Sequence, residues 1–415
     1  MSTAPVSTEP NLHHLSMLHN TRCAPKTTTN GRNLQLDGLR ALSVTFVLIS
    51  HFWPQSVVEN ADIGHLGVRL FFVLSGYLIT GILLSCRSSM EAGQTDAVTN
   101  LRRFYIRRFL RIFPPYYALL ALMVIVKFPG VRDTLWWHAG YASNFLFALK
   151  GDWTPWVTCH FWSLAIEEQF YLVWPFLILL VPRSRLFAVV IAITISSPLF
   201  RLIGLLAGVN ETALWVATPA SFDALGLGSL VALCADQPAA WRRLTRLGLI
   251  SIPLALILGL ILLVYDRLWL SYVVNESVVA LALAYLVAKT AQGFDGLTGR
   301  LLSLPPLQYV GKISYGIYLY HLFVFQAFWK FLSVAHLPLL DKGPLLFLIL
   351  TPTTVAMAAL SWKLLEQPLN GLKRHFPYQP EGLQGGAESS FLFFSVKAQS
   401  QRAYTMPIRE KSPRS

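Results

Sequence analysis

The chain has 415 residues, of which 54% are hydrophobic and 13% charged, about half the charged share of an ordinary soluble domain, roughly 25%. A soluble fold would have to expose much of that apolar surface, whereas a bilayer removes the difficulty. Lys and Arg outnumber Asp and Glu by 34 to 21, a formal net charge of +13. These basic residues lie in short stretches between apolar runs, the pattern that encodes membrane orientation, and argue against nucleic-acid binding.

Residues 1–33 are polar, hold His13, His14 and His19, and lack the apolar stretch of a cleavable leader; they are expected to form a disordered tail. Cys23, Cys86, Cys159 and Cys234 are not at metal-ligand spacing, so small apolar side chains, no disulfide framework and no metal site are expected.

Ten apolar windows follow, at 39–52, 67–86, 112–128, 161–181, 186–209, 215–234, 247–265, 272–288, 313–332 and 345–364. Most approach the ~20 residues that cross a bilayer as helix, and they neither alternate nor match the shorter strands of a barrel. The chain therefore reads as an all-α integral membrane bundle of about ten transmembrane helices. The stretch between the second and third windows carries Arg87, Arg102, Arg103, Arg107, Arg108 and Arg111. Arg183, Arg185, Arg242, Arg243, Arg246 and Arg300 recur on the same side. The opposite loops are poor in basic residues, which predicts that both termini are cytoplasmic. The outer segment 129–160 holds Trp136, Trp137, Trp153 and Trp156, read either as an interfacial aromatic belt or as a stacking platform for a sugar ring. Residues 377–415 read as a second disordered cytoplasmic tail, and no internal repeat is evident.

Charged residues inside membrane helices are costly, so each is a candidate for function. The first helix reads Leu36-Asp37-Gly38-Leu39-Arg40, with His51 eleven residues after Arg40. At 100° per residue the two share a face to within about 20°, and they are about 16 Å apart along the axis. Asp37 is expected to cap this helix or pair with Arg40. Arg108 and Arg111, at i and i+3, suit bidentate phosphate binding. Ser163, Glu167 and Tyr171 form an i, i+4, i+8 stripe beside a second carboxylate, Glu168, and one of the two acids is expected to cap the helix start. Ser314, Tyr318 and His321 form another stripe. Ser75-Gly76-Tyr77 permits close helix approach. Arg69, Arg201 and Asp223 read as interhelical partners, and the run from Trp362 to Pro368 as a helix stop.

In this order, the Asp37-Gly38-Leu39-Arg40 run with His51, the Phe71-Phe72…Ser75-Gly76-Tyr77 run, the Arg108…Arg111 pair, the Ser163-Leu164…Glu167…Phe170-Tyr171 run and the Ser314-Tyr315…Tyr318…His321 run resemble the membrane-bound acyltransferase-3 family, which includes polysaccharide and lipopolysaccharide O-acetyltransferases. The matching features span Leu36 to Pro368, within an expected transmembrane domain at residues 34–376. The resemblance implies an O-acyltransferase of the inner, cytoplasmic membrane. It implies acyl-CoA, acetyl-CoA in the first instance, as co-substrate with no permanently bound cofactor. A carbohydrate or glycolipid hydroxyl is the implied acceptor. It carries catalysis to His51 and acyl-CoA binding to Arg40, Arg108 and Arg111. Asp37, Ser75, Tyr77, Ser163, Tyr171, Tyr318 and His321 are expected to support the site. Glu167 is expected to orient the His51 ring, as a carboxylate does in hydrolase triads. A covalent acyl-His intermediate is a variant of the same chemistry. Some relatives add an extracellular SGNH-type domain that this sequence lacks, so transfer is expected to finish in the membrane domain or pass to a downstream acyl-handling protein. Membrane lipids are the other expected partner, and no pattern sets an oligomeric state. The competing reading is a proton-coupled transporter, which uses buried His, Glu and Arg as a relay.

Overall fold

The computed structural model describes residues 28–29, 32–53, 63–265, 268–338 and 340–378. Residues 1–27 and 379–415, most of the two expected tails, lie outside the described residues. The strands β1 (Thr28–Thr29) and β2 (Arg32–Asn33) form a minimal antiparallel bridge. Asn33 then caps α1 (Leu34–Phe52) by accepting from the backbone N–H groups of Gln35 and Leu36, and anchors it through Nδ2 to the Thr290 carbonyl at 3.1 Å. Asp37, expected as cap or partner, takes the second role, 2.9 Å from Arg40.

Next come α2 (Ile63–Glu91) and α3 (Ala97–Ile125), and between them the chain leaves helix only at 92–96. The arginines expected in a loop are therefore on helices, a correction with a plain cause. No Gly or Pro interrupts the chain from Ala97 to Phe113, and Arg is a good helix former whose long side chain reaches polar surroundings. An apolar window stops where charge begins, although the helix continues. One of these arginines ties the architecture: Arg87 donates to the carbonyls of Ile178 and Val181 at 2.7 and 2.6 Å, satisfying open carbonyls at a helix C-terminus.

The segment 129–160 folds into α4 (Leu135–Ala139), α5 (Ser143–Lys150) and a 3₁₀ turn at Trp156–Thr158. His138 is its buried hub: Nδ1 is 2.8 Å from Ser143 Oγ, and Nε2 is 3.1 Å from both Thr134 Oγ1 and Thr158 Oγ1. Then follow α6 (Phe161–Leu180), α7 (Arg183–Leu206), α8 (Glu211–Val216) and α9 (Phe222–Cys234). The window expected as one helix at 215–234 is broken before the Thr218–Ser221 turn, where Pro219 supplies no N–H. The chain continues through α10 (Pro238–Val264) and, after a π turn at Leu270–Asn275, α11 (Glu276–Gln292). The short α12 (Gly296–Leu302) and α13 (Pro305–Lys312) lead into α14 (Ser314–Val334) and α15 (Pro344–Ser361). The stop expected near Pro368 is not a stop: a π turn at Trp362–Glu366 carries the chain into α16 (Gln367–Gly371). Pro368 occupies the first turn of that helix, where its missing N–H is harmless.

Eight helices among the described residues are long and apolar enough to cross a membrane. The two other expected spans correspond to the more polar α1 and the shorter stretch Thr218–Cys234. The protein is a multi-pass membrane protein. At the periphery α10 turns Leu249, Ile250, Leu256 and Leu260 outward, a face that hydrocarbon accepts and water does not. At the centre α2 is buried along most of its length and packs closely on α9. A Cβ on Gly76 would strike the Leu225 carbonyl oxygen, and one on Gly228 the Val73 carbonyl oxygen; the two glycines let the backbones touch. The same helices are bound by buried charge. Asp223 lies 2.8 Å from Arg69 and 2.7 Å from Arg201, and Glu276 lies 3.2 Å from Arg69 and 2.8 Å from His65. The interhelical pairing read for Arg69, Arg201 and Asp223 is thus present.

Candidate active site

Five helices open onto one cavity with an empty volume of about 880 Å³. Arg40 comes from α1, Ser75 from α2, and Arg108 and Arg111 from α3. The stripe Ser163, Glu167 and Tyr171 comes from α6, and Ser314 and Tyr318 from α14. Residues far apart in sequence, selected as rare polar positions in apolar helices, therefore share a single wall. Glu168 and Tyr315 join them. Neither glutamate caps a helix, since α6 begins at Phe161, six residues before Glu167. Tyr77 packs against the apolar core and not among these walls.

The arginine end has two kinds of arginine. Arg107 Nη1 donates to the carbonyls of Lys373 and Phe376, both at 2.9 Å, and its guanidinium lies 4.5 Å from the Tyr378 ring centre, so it fastens α3 to the C-terminal segment. Arg108 and Arg111 instead face the cavity, and Arg108 lies 5.6 Å from the ring centre of Tyr171. In the middle of the wall, Tyr171 Oη donates to Ser75 Oγ at 3.0 Å, and Ser75 donates to Glu167.

At the other end of the α6 stripe, eight residues and about 12 Å from Tyr171, Ser163 Oγ lies 2.5 Å from Tyr318 Oη. Against this pair stands a cluster of three histidines. His321 contacts His51 with ring centres 4.8 Å apart and His160 with ring centres 4.7 Å apart, both edge to face. Tyr318 approaches His160 and His321 with ring centres at 5.6 and 5.5 Å.

Hydrogen-bond accounting fixes the tautomers of the neutral rings, because a carbonyl can only accept. His51 Nδ1 meets the Val47 carbonyl at 2.8 Å, His160 Nε2 the Leu319 carbonyl at 3.1 Å, and His321 Nδ1 the Tyr318 carbonyl at 2.6 Å. Each of these nitrogens carries the hydrogen, which leaves lone pairs on His51 Nε2, His160 Nδ1 and His321 Nε2. The last two are buried with no hydrogen-bond partner among the described residues. The expectation that Glu167 orients the His51 ring is corrected here. The Val47 carbonyl holds Nδ1, and Glu167 is engaged by Ser75.

His160 was not picked out from the sequence as a site residue. A signal existed: it extends the Ser163–Glu167–Tyr171 stripe by three residues, one turn toward the helix start. Glu366, read only as part of a helix stop, is buried and accepts from Ser361 Oγ at 3.3 Å. No group of three or more His, Cys, Asp or Glu suited to a metal ion occurs among the described residues.

A family model described as "Acyltransferase domain" matches residues 33–363, which include every wall residue named above. The chain belongs to the acyltransferase-3 family. Among curated proteins it is 27% identical over 372 residues to peptidoglycan O-acetyltransferase OatA of Listeria monocytogenes, covering 82% of this chain and 56% of that protein. It is 27% identical over 365 residues to O-acetyltransferase OatA of Staphylococcus aureus, covering 80% and 56%. It is 28% identical over 372 residues to putative peptidoglycan O-acetyltransferase YrhL of Bacillus subtilis, covering 80% and 54%. The chain thus spans about half the length of the curated relatives it matches. No solved structure matches it. These findings accord with an acyltransferase-3 membrane domain and give the transporter reading no support.

Proposed function

We propose that this acyltransferase-3 protein moves an acyl group, acetyl in the first instance, from acyl-CoA to a carbohydrate hydroxyl on the outer side of the cytoplasmic membrane. The observation that carries the reading is the single cavity with Arg108 and Arg111 at one end and Ser163 and Tyr318, backed by the three histidines, at the other. Two fixed cations suit the phosphates of CoA, which they would hold by charge-assisted hydrogen bonds. The arginine-rich end is the cytoplasmic one by loop charge, and the donor enters there. The pantetheine arm runs along the cavity past Arg40, Ser75 and Glu167. The thioester comes to rest by Ser163 and Tyr318.

His51 is the base in this reading. Its Nδ1 hydrogen is held by Val47, so Nε2 is free to take the proton of an acceptor hydroxyl. The oxygen then attacks the thioester carbonyl in a direct transfer. The acceptor comes from the side of the 129–160 segment, where the Trp156 ring stands 6.2 Å from His51, and peptidoglycan-type glycans are the first class to try, given the relatives' names. The test is purified protein in detergent with acetyl-CoA, a panel of glycan acceptors and a thiol reagent for released CoA. Acceptor-dependent CoA release with an acetylated glycan is expected. CoA release without an acetylated glycan would point to hand-off to a second protein, and no thioester cleavage with any acceptor overturns the enzyme reading.

A further inference from the structure

Attack on a thioester moves the carbonyl electrons onto oxygen, and a buried site accelerates that step when donors are already aimed at the developing charge. Two hydroxyls stand where the cavity meets the histidines. Ser163 Oγ and Tyr318 Oη are 2.5 Å apart, and they lie 3.1 and 3.2 Å from the His160 carbonyl oxygen. Two protons are thus shared among three oxygens: one lies between the hydroxyls, the other points to the carbonyl. An oxyanion competes well for such protons, because a hydrogen bond to a charged acceptor is about twice as strong as one between neutral groups.

Three other hydroxyls of the cavity are committed elsewhere. Tyr171 donates to Ser75, Ser75 to Glu167, and Tyr315 to the Ile112 carbonyl at 2.9 Å. Tyr318 also touches the His321 ring, which touches His51. The hydroxyl pair and the base therefore belong to one contiguous cluster of side chains at this end of the cavity.

We propose that Tyr318 and Ser163 donate hydrogen bonds to the thioester carbonyl oxygen and to the oxyanion formed from it; this rests on the acyl-transfer reading. The acceptor oxygen bonds to the carbonyl carbon while its proton passes to His51 Nε2, and the C=O electron pair moves onto the oxygen held by the two hydroxyls. On collapse the C=O bond re-forms and the C–S bond breaks with its electron pair going to sulfur. The imidazolium then returns the proton to the thiolate, giving the ester and free CoA.

The simpler alternative is that the pair only clamps α6 to α14. The experiment compares full-length wild type, Tyr318→Phe, Ser163→Ala and Ser163→Thr. It measures kcat and KM, and the infrared carbonyl stretch of bound ¹³C-labelled acetonyl-CoA, a ketone with a methylene between sulfur and carbonyl. Tyr318→Phe should lower kcat about 10²- to 10³-fold with KM near wild type. The carbonyl stretch, lowered in frequency on wild type by the two donors, should move back up in Tyr318→Phe and Ser163→Ala and stay low in Ser163→Thr. The infrared reading needs only bound ligand, and Ser163→Ala supplies it even where Tyr318→Phe does not fold. An unchanged stretch in both variants, or a kcat loss under about tenfold, overturns the proposal. His51-dependent CoA release with an unchanged stretch refutes these donors alone, whereas wild type that neither binds acetonyl-CoA nor cleaves acetyl-CoA refutes the acyl-transfer reading and this proposal with it.

Discussion

The rings of His51 and His321 meet edge to face with their centres 4.8 Å apart. With His51 as base, His51→Ala should lower acyl transfer about 10²- to 10⁴-fold. Acyl-CoA binding should persist, because the arginines proposed to hold the donor sit at the far end of the cavity. His321→Gln keeps the base but removes the ring that packs on it, and a displaced base is expected to cost about 10²-fold. CoA release and equilibrium acyl-CoA binding, measured on the same preparations, check both. A wild-type rate in His51→Ala removes His51 as the base.

The arginines of α3 should separate into two classes. Arg108→Ala and Arg111→Ala should each weaken acyl-CoA binding by about 1.5–3 kcal/mol, the worth of a charge-assisted contact. Arg107→Ala should leave affinity near wild type, since its guanidinium is spent on the carbonyls of Lys373 and Phe376. Calorimetric titration with acyl-CoA is the measurement. Equal losses across all three would mean that general positive charge, and not a built phosphate site, attracts the donor.

Sidedness is checked by labelling. Arg102→Cys and Trp136→Cys, both at exposed positions, are placed singly in a background without the native cysteines. In intact cells an impermeant thiol reagent should modify the cysteine at 136 and spare that at 102 until the membrane is opened. The reverse pattern would invert the proposed entry side of the donor.

Much of this site was legible because polar residues in lipid-spanning helices are few and their spacing is periodic. Ser163, Glu167 and Tyr171 share a face by arithmetic alone, and the cavity confirms that face. Pairing across helices was not legible. Nothing in the stripe distinguishes a Glu167 that meets His51 from one that meets Ser75, because that choice is set by how α2 and α6 pack, through Gly76 and Gly228 among others. The extent of α3 was misread for a related reason: an apolar window ends where arginines begin, yet helix propensity does not. His160 escaped because a histidine in the Trp-rich 129–160 segment looks like a surface residue until the segment folds inward onto α14.

The buried charges of α2, α7 and α9 support a stability prediction. Asp223 is 1% exposed and holds both Arg69 and Arg201. Asp223→Asn leaves two buried guanidinium groups with one carboxylate between them, and breaking such a pair costs about 3–5 kcal/mol. Thermal unfolding in detergent should show the loss, while acyl-CoA affinity of the folded fraction should be unchanged. Unaltered thermal stability would show that the network tolerates the missing charge.

The 129–160 segment should loosen in acid, and the sign follows from one ring. Thr134 and Thr158 donate their hydroxyl protons to the carbonyls of Gly130 and Pro155 at 2.7 and 3.0 Å. His138 Nε2 therefore carries the hydrogen between them, and Nδ1 accepts from Ser143. Burial, reinforced by the charge of Lys150, lowers the His138 pKa from 6.5 to about 4. In the opened segment the ring regains its ordinary pKa and binds a proton that the closed segment refuses. Closure is thus at full strength above about pH 6.5 and weakens as pH falls toward 4, by about 1.4 kcal/mol per unit and about 3 kcal/mol in all. Below about pH 4 both forms are protonated and the loss is complete. Amide hydrogen exchange across residues 135–158, corrected for intrinsic rates, should show protection falling through this window. His138→Gln cannot titrate, so its protection should be lower at pH 7 and flat with pH. A wild-type profile as flat as that of the variant would place the acid sensitivity of the segment elsewhere.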